Sequence, residues 1–384
     1  MSDPVPASGT VHWVGAGLST GSGLARLCET AERVRLWHRT EDRAAEALAR
    51  RGLTGRAEPR AYTPAALAAD LAPGDVVVSM LPAPEHAGLL AACVARRAHF
   101  ACSSYVSDAV LERVPAATGA GLVVLTEAGL DPGIDHLFAH CLVSRAREAI
   151  GAGTAASYSL TSYCGGVPAE PNDFKYRFSW APAGVLNALR SPARYLEDGA
   201  ETTVDRPWEA TRRHLVEGEV FEVYPNRDSV PFVAQYALPA EWKPRTFVRG
   251  TLRLEGWLRA WEPVFEELGR GDDERIAALA QELADRHPTT DADRDRVVLA
   301  VSLDVRGANG ATWSGGYLLD LVGDEEESAM ARCVSRPLAL GVRRILDGSL
   351  PPGLSRAAET AALSDEWLRE LALEGVEFTL RVSR

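Results

Sequence analysis

Gly15-Ala16-Gly17 follows a short apolar run, Val11 to Val14, and opens through Leu18-Ser19-Thr20 into a helical pattern over 21–30. A strand, a glycine turn and a helix start in that order can cradle a pyrophosphate. Glycine lets backbone N–H groups approach the phosphates, and the helix N-terminus adds partial positive charge. The dinucleotide fingerprint has a third glycine three positions after Gly17. Here that position is Thr20, and the next glycines are Gly21 and Gly23. The end of the second apolar run, Val34 to Trp37, should select between dinucleotides. An acidic residue there would hold a ribose 2′-hydroxyl; this sequence has Arg39 and Thr40. A guanidinium pairs with a 2′-phosphate, so NADP is the expected cofactor and NAD the second choice. The competing reading leaves Arg39 solvated and makes Thr40 the N-cap of a helix beginning at Glu41. Leu81, in Ser79-Met80-Leu81-Pro82, ends a strand where the backbone could flank adenine or ribose.

Other chemistry-bearing positions are less specific. His136 and His140 are four residues apart on one helix face, but no third ligand accompanies them, so no metal is expected. Cys164 precedes Gly165-Gly166 without an identifiable basic partner, which makes it a small residue lining a site rather than a clear nucleophile. Asp131 stands in Asp-Pro-Gly, a turn sequence in its own right.

These positions need a scaffold, and the sequence supplies one. Asp75 to Leu81 is a continuous apolar run of strand length, as suits a strand buried on both faces of a parallel sheet. A helix over 85–97, a strand over 98–102, a helix over 107–117 and a strand over 122–126 follow. Alternation of this kind predicts an α/β chain with a Rossmann-like, doubly wound parallel sheet of at least five strands over residues 1–130. Segment 328–360 is a candidate to complete it. Residues 131–327 are expected to form a mixed α/β substrate domain with a helical insertion near 183–290. Its elements are a helix over 134–149, β-like residues over 155–164, a helix over 183–190 and strands over 297–306 and 312–321. The loop to Phe178 is long, but Phe174, Tyr176, Phe178 and Trp180 argue against disorder. Residues 289–296 read as an exposed linker, and 361–384 as a C-terminal α/β piece. Trp313 and Tyr317 either join the core or face a second copy in a homodimer.

Lys and Arg number 41 against 53 Asp and Glu, a net charge of −12. Nucleic acid is therefore not an expected partner. No apolar run is long enough to span a membrane. The start, MSDPVPASG, lacks the regions of a secretory leader, and the six cysteines lack disulfide-like spacing, so a reducing cytoplasm is expected.

A resemblance emerges from Glu127 onward. Glu127-Ala-Gly-Leu-Asp-Pro-Gly-Ile-Asp-His136 resembles the signature of the saccharopine reductases, the glutamate-forming saccharopine dehydrogenases. It continues through Ser162-Tyr-Cys-Gly-Gly-Val-Pro-Ala169, Phe178-Ser-Trp180, Tyr224-Pro-Asn-Arg-Asp-Ser229 and Val248-Arg-Gly-Thr-Leu-Arg253, in order. The resemblance implies an amino-acid substrate and a nicotinamide cofactor. It also implies oxidation of saccharopine at the carbon beside its secondary amine, with hydrolysis of the imine to glutamate and aminoadipate semialdehyde. It places substrate contacts at Ser104, Tyr105, Asp131, Arg227, Arg249, Gly250 and Thr251. Cofactor contacts fall at Leu130, Asp131, Pro132 and Ser179, beside those of the glycine turn. Asp131, Tyr105 and Cys164 are the candidates for proton transfer. Arg227 and Arg249 are the candidate carboxylate clamps; the alternative for them is a surface ion pair with Asp228 or Glu255. The family often has lysine immediately before Phe-Ser-Trp, where this chain has Arg177, which stays protonated. Alternatives are a related amine–aldehyde coupling enzyme, such as a carboxynorspermidine dehydrogenase, or a non-catalytic NADP-binding sensor.

Overall fold

Short apolar runs separated by helices can bury both faces only in a parallel sheet, and that is how they assemble. The computed structural model describes residues 3–290 and 293–383. The chain divides into two units. The first is Met1–His136 with Ala331–Glu359, and the second is Leu137–Met330 with Thr360–Arg384.

The first unit holds strands β1 (Thr10–Val14), β2 (Arg33–His38), β3 (Glu58–Ala61), β4 (Val76–Ser79), β5 (His99–Cys102) and β6 (Val123–Thr126), plus a seventh strand, Gly353–Arg356. All pairings are parallel, in the order Gly353–Arg356, β6, β5, β4, β1, β2, β3. Strand direction of winding reverses between β1 and β4, the position where α/β sheets bind ligands at their carboxyl edge. β4, β5 and β6 are buried at every residue, the polar ends Ser79, His99 and Thr126 included. The reading missed β3, and it put segment 328–360 with this sheet without recognising strand Gly353–Arg356 within it. Both are four-residue edge strands with polar or charged sequence, EPRA and GLSR, and carry no apolar signal. The helix expected over 107–117 is two short helices, Asp108–Leu111 and Val114–Gly119, because Pro115 starts a new helix rather than continuing one.

The helix after β1 begins only at Gly23 and runs to Thr30. A Cβ on Gly23 would lie 2.0 Å from the backbone oxygen of Ser335. The Gly23 N–H donates to Ser335 Oγ at 3.0 Å. Close packing, which the fingerprint assigns to its third glycine, is thus carried here by Gly23 against helix Ala329–Leu346. Gly23→Ala is expected to destabilise the chain by about 2–3 kcal/mol, as overpacking of a tight contact does. A lower urea midpoint checks this, and an unchanged midpoint would refute the packing argument.

The second unit is built on a nine-stranded sheet: β7 (Ala156–Pro168), β8 (Ala193–Glu197), β9 (Ala200–Val204), β10 (Arg212–Val216), β11 (Glu219–Pro225), β12 (Trp242–Leu254), β13 (Asp295–Gly307), β14 (Thr312–Val322) and the last strand, Thr379–Ser383. The main order is β10, β11, β12, β7, β13, β14, Thr379–Ser383. Only β12 and β7 pair in parallel. The insertion expected as helical carries five strands, β8 to β12, beside its helices Pro182–Arg190, Glu262–Arg270 and Asp273–Arg286. Strands such as AETTV and RRHLV are half-exposed and polar, so they lack the apolar run that the reading relied on. Phe174, Tyr176, Phe178, Trp208, Tyr224, Trp257 and Trp261 form one buried cluster, which anchors the long loop to Phe178. Phe174 stacks on Trp261 at 4.9 Å and on His287 at 4.0 Å, and each aromatic pair adds about 0.5–1.5 kcal/mol beyond its buried area.

Of the expected linker 289–296, Asp291 and Ala292 lie outside the described residues. The linker is shorter than expected because β13 starts at Asp295, which is 1% exposed and accepts the Ala329 and Met330 N–H groups at 2.7 and 2.9 Å. Residues 361–383 are not a separate piece: Thr379–Ser383 pairs with β14, and helix Ala361–Leu373 buries Trp367, Leu368 and Leu371. Trp313 and Tyr317 are buried, and Tyr317 stacks on Phe138 at 4.5 Å. They belong to the core of this unit. All six cysteines are free thiols.

Candidate active site

In the first unit, every candidate residue lies at the carboxyl ends of β1, β2, β4, β5 and β6. Gly15 has φ +103°, and a Cβ there would press on the Met80 carbonyl carbon and oxygen at 3.2 Å. Gly17 faces open space, with no atom within 4 Å of a Cβ position. Leu18 is exposed and Ser19 half-buried beside it. Thr20 is different. It is 3% exposed, its hydroxyl donates toward the Gly15 carbonyl at 3.4 Å, and Arg51 donates to its backbone oxygen at 2.9 Å. Its side chain builds the turn instead of facing a ligand.

Thr40 Oγ1 accepts the Arg43 N–H at 3.3 Å and caps helix Glu41–Arg50. The Thr40 hydroxyl therefore follows the competing reading, and Arg39 is exposed, as that reading also has it. His38, Arg39, Arg43, Glu46 and Arg50 line a pocket of about 250 Å³. Burial, then the charges of Arg39, Arg43 and Arg50, push the His38 pKa down. This field suits a doubly charged anion, so the residues present fit the 2′-phosphate of NADP. The reading missed His38, Arg43 and Arg50. Arg43 and Arg50 stand seven residues apart on the helix, two turns, and so share one face, which was a usable signal.

His86, 1% exposed, donates from Nε2 to the Leu81 carbonyl at 3.0 Å and so fixes the loop after β4. Burial pushes the His86 pKa below its ordinary value, partly opposed by that hydrogen bond. His99, 2% exposed, is also pushed down by burial. Both stay neutral in the folded chain where the unfolded chain, with pKa about 6.5, already binds protons. Their stabilising contribution is therefore complete above pH 6.5 and is lost as pH falls below it. The melting temperature is expected to hold between pH 7 and 8 and to fall from about pH 6.5 downward. His86→Gln should make that fall shallower; an unchanged slope would count against it.

The loop after β6 is tightly made. Gly129 N–H donates to Pro132 O at 2.9 Å and Ile134 N–H to Gly129 O at 2.9 Å. A Cβ on Gly133 would sit 1.9 Å from Gly129 O. Leu130 and Pro132 are buried, and the Asp131–Pro132 bond is cis. Asp131 is left half-buried, and Tyr105, half-buried beyond β5, donates its phenolic O–H to Asp131 Oδ1 at 2.7 Å. Ser104 sits beside Tyr105, its carbonyl accepting the Glu127 N–H at 3.0 Å. Glu127, 2% exposed and at φ +55°, was not expected as a site residue. Its carboxylate accepts the Val106 N–H at 3.2 Å and meets His136 Nε2 at 3.0 Å. His136 Nδ1 lies 3.3 Å from Asp135, whose carboxylate accepts the Gly133 N–H at 2.6 Å. His136 is thus a buried bridge that ties both ends of the Asp131 loop. Among the described residues no group of three His, Cys, Asp or Glu side chains could hold a metal ion.

In the second unit, sheet register puts Cys164 beside Thr251 and Ser162 beside Arg249, so these side chains share one face. Cys164 and Thr251 are half-exposed there. Gly250 is required by packing, since a Cβ would meet Tyr224 O at 2.4 Å and the Tyr163 ring at 2.8 Å. Arg249 is 4% exposed, and its guanidinium lies 3.9 Å from the Phe232 ring centroid. Ser179 Oγ is buried and lies 2.8 Å from where a Gly166 Cβ would be. Arg227 is exposed at φ +56°, a left-handed conformation that a non-glycine residue rarely adopts. The carboxylates named as alternative surface partners have ion pairs of their own. Asp228 pairs with Arg194 at 2.8 Å and Glu255 with Arg213 at 2.6 Å.

A parallel sheet with a glycine turn at its carboxyl edge and a cationic pocket after β2 defines a dinucleotide-binding α/β chain, and its relatives agree. The family model for the saccharopine dehydrogenase NADP binding domain matches residues 11–125, and that for the saccharopine dehydrogenase C-terminal domain matches residues 129–376. The chain is 40% identical over 199 residues to a saccharopine dehydrogenase (NADP+, L-glutamate-forming) of Pyricularia oryzae, covering 50% of this chain and 43% of that one. It is 30% identical over 376 residues to the Saccharomyces cerevisiae enzyme of the same name, covering 78% and 82%. The match therefore spans less than half of the Pyricularia protein but most of the yeast one. The apo structure of the yeast saccharopine dehydrogenase (L-Glu forming) superposes with a TM-score of 0.82 at 26% identity, covering 98% of this chain and 100% of that one. This chain belongs to the saccharopine dehydrogenase family. Among the described residues, no helix is long and apolar enough to cross a membrane.

Proposed function

We propose that the chain is an NADP-dependent oxidoreductase of the cytoplasm that interconverts saccharopine with L-glutamate and aminoadipate semialdehyde. The observation that carries this reading is the Tyr105–Asp131 hydrogen bond of 2.7 Å at the edge that also holds the glycine turn. Bound NADP would supply the hydride acceptor. The chain must then do three things: present a neutral amine, admit water to the iminium, and move protons as the carbinolamine collapses. The Asp131 carboxylate would accept the amine proton and order the attacking water. The Tyr105 hydroxyl holds that carboxylate in position and can relay its proton. Cys164 would line the substrate-facing side of the second unit. Arg227 and Arg249 would neutralise substrate carboxylates, a local attraction that offsets the net charge of −12 on a chain whose substrate is also acidic.

The experiment is the absorbance of reduced nicotinamide when purified protein receives saccharopine with NADP+, and separately with NAD+. Saccharopine-dependent reduction, faster with NADP+, is expected. Measurable NADPH binding with no turnover would replace this reading with a different amine–aldehyde pair or a sensor.

A further inference from the structure

Arg253 stands two residues beyond Thr251 on β12 and faces the same side of the sheet as Arg249 and Thr251. It is 6% exposed. Its guanidinium carbon lies 4.8 Å from the Tyr176 ring centroid, 5.6 Å from that of Trp257 and 5.8 Å from that of Tyr224. One guanidinium nitrogen, Nη1, donates to the Leu252 carbonyl at 3.3 Å, while Nε is buried with no hydrogen-bond partner. No carboxylate among the described residues lies within ion-pairing distance of it. The nearest candidate by register, Glu222 on β11, has both oxygens occupied: Oε1 accepts the Gly256 N–H at 3.0 Å and Oε2 the Leu258 N–H at 2.7 Å.

A guanidinium taken out of water without an anion is costly, and three aromatic rings offset only part of that cost. Elsewhere in this chain, partly buried arginines do have anions. Arg296, for example, lies 2.9 Å from Glu219 and also pairs with Asp320. Arg253 therefore has the properties of a preformed anion subsite: a fixed fork, aromatic walls that hold its plane, and an unused donor.

We propose that Arg253 anchors a carboxylate of the amino-acid substrate, at a subsite beyond the one served by Arg249. The proposal rests on the reading of the substrate as a polycarboxylate amino acid. It assigns Arg253 to the substrate and not to a phosphate of the cofactor. A residue that binds by matching the planar fork of a carboxylate should tolerate neither glutamine nor lysine fully.

The test uses the full chain with Arg253→Gln and Arg253→Lys. Glutarate and butyrate are titrated against protein fluorescence, with Trp257 beside the subsite as reporter. NADPH binding and the melting temperature are measured in parallel. Wild type should bind glutarate more tightly than butyrate. Arg253→Gln should weaken glutarate binding at least about tenfold, the loss of one charge-assisted pair, and leave butyrate and NADPH unchanged. Arg253→Lys should fall between the two. Where saccharopine is turned over, its KM should rise by a similar factor with kcat held. Glutarate binding that survives Arg253→Gln in folded protein would overturn the proposal, leaving a purely structural cation. Weakened NADPH binding with intact glutarate binding would overturn it in favour of a cofactor phosphate. Should Arg253→Gln not fold, unaltered glutarate binding in Arg253→Lys would overturn it equally. Because glutarate binding needs no turnover, failure of the saccharopine reaction alone would be seen separately.

Discussion

Asp131→Asn is expected to lower kcat/KM for saccharopine oxidation by about two orders of magnitude, the scale of a lost general acid–base group. The side chain keeps its size and can still meet the Tyr105 hydroxyl, so the loop should hold its shape. What it loses is the negative charge and the proton-accepting oxygen. Tyr105→Phe removes only the 2.7 Å donor and should cost about tenfold, the range of a hydrogen bond to a charged group. The two losses should not add, because both act on one carboxylate. Steady-state rates for the two single variants and the double variant check this, with NADPH affinity measured alongside. An Asp131→Asn enzyme that turns over near the wild-type rate would remove Asp131 from the proton chemistry. A loss explained wholly by weaker NADPH binding would give it a cofactor role only.

Arg39→Glu with Arg43→Glu is expected to weaken NADPH binding by about a hundredfold or more, since each charge-assisted contact contributes about 1.5–3 kcal/mol. NADH binding should change little, because NADH carries no 2′-phosphate for these residues to meet. The pocket lined by His38, Arg39, Arg43, Glu46 and Arg50 makes the comparison specific. Both residues are exposed, Arg39 ahead of the helix and Arg43 on it, so folding should survive the changes. Equal losses for NADPH and NADH would show that the arginines act through the general potential of the surface and do not recognise the 2′-phosphate.

Cofactor preference was partly legible in the sequence. Arg39 could be picked out because the position after a second strand is fixed by the fold. Arg43 and Arg50 belong to the same pocket, but they become neighbours only once residues 41–50 wind into a helix capped by Thr40. The glycine turn shows the opposite balance. Its first two glycines were readable, since tight turns impose a local demand. The need at Gly23 comes from Ser335, more than three hundred residues away, and no local pattern could reveal it.

The substrate face shows the same division. Motif blocks around Asp131, Cys164, Arg227 and Arg249 located the candidate residues, and the buried strands β4 and β6 followed from continuous runs of valine and leucine. Local sequence determined these because strand burial and turn geometry are imposed residue by residue along the chain. Tertiary structure alone decided which carboxylates were already taken. Arg194 and Arg213 occupy Asp228 and Glu255. It also placed Glu127 and His136 at the two ends of the Asp131 loop, and it left Arg253 buried among three aromatic rings. Charge pairing is a competition among all groups within a few ångströms, and that neighbourhood is assembled from distant segments. The sequence therefore states which groups are available for chemistry, and only the folded sheets decide which of them are still uncommitted.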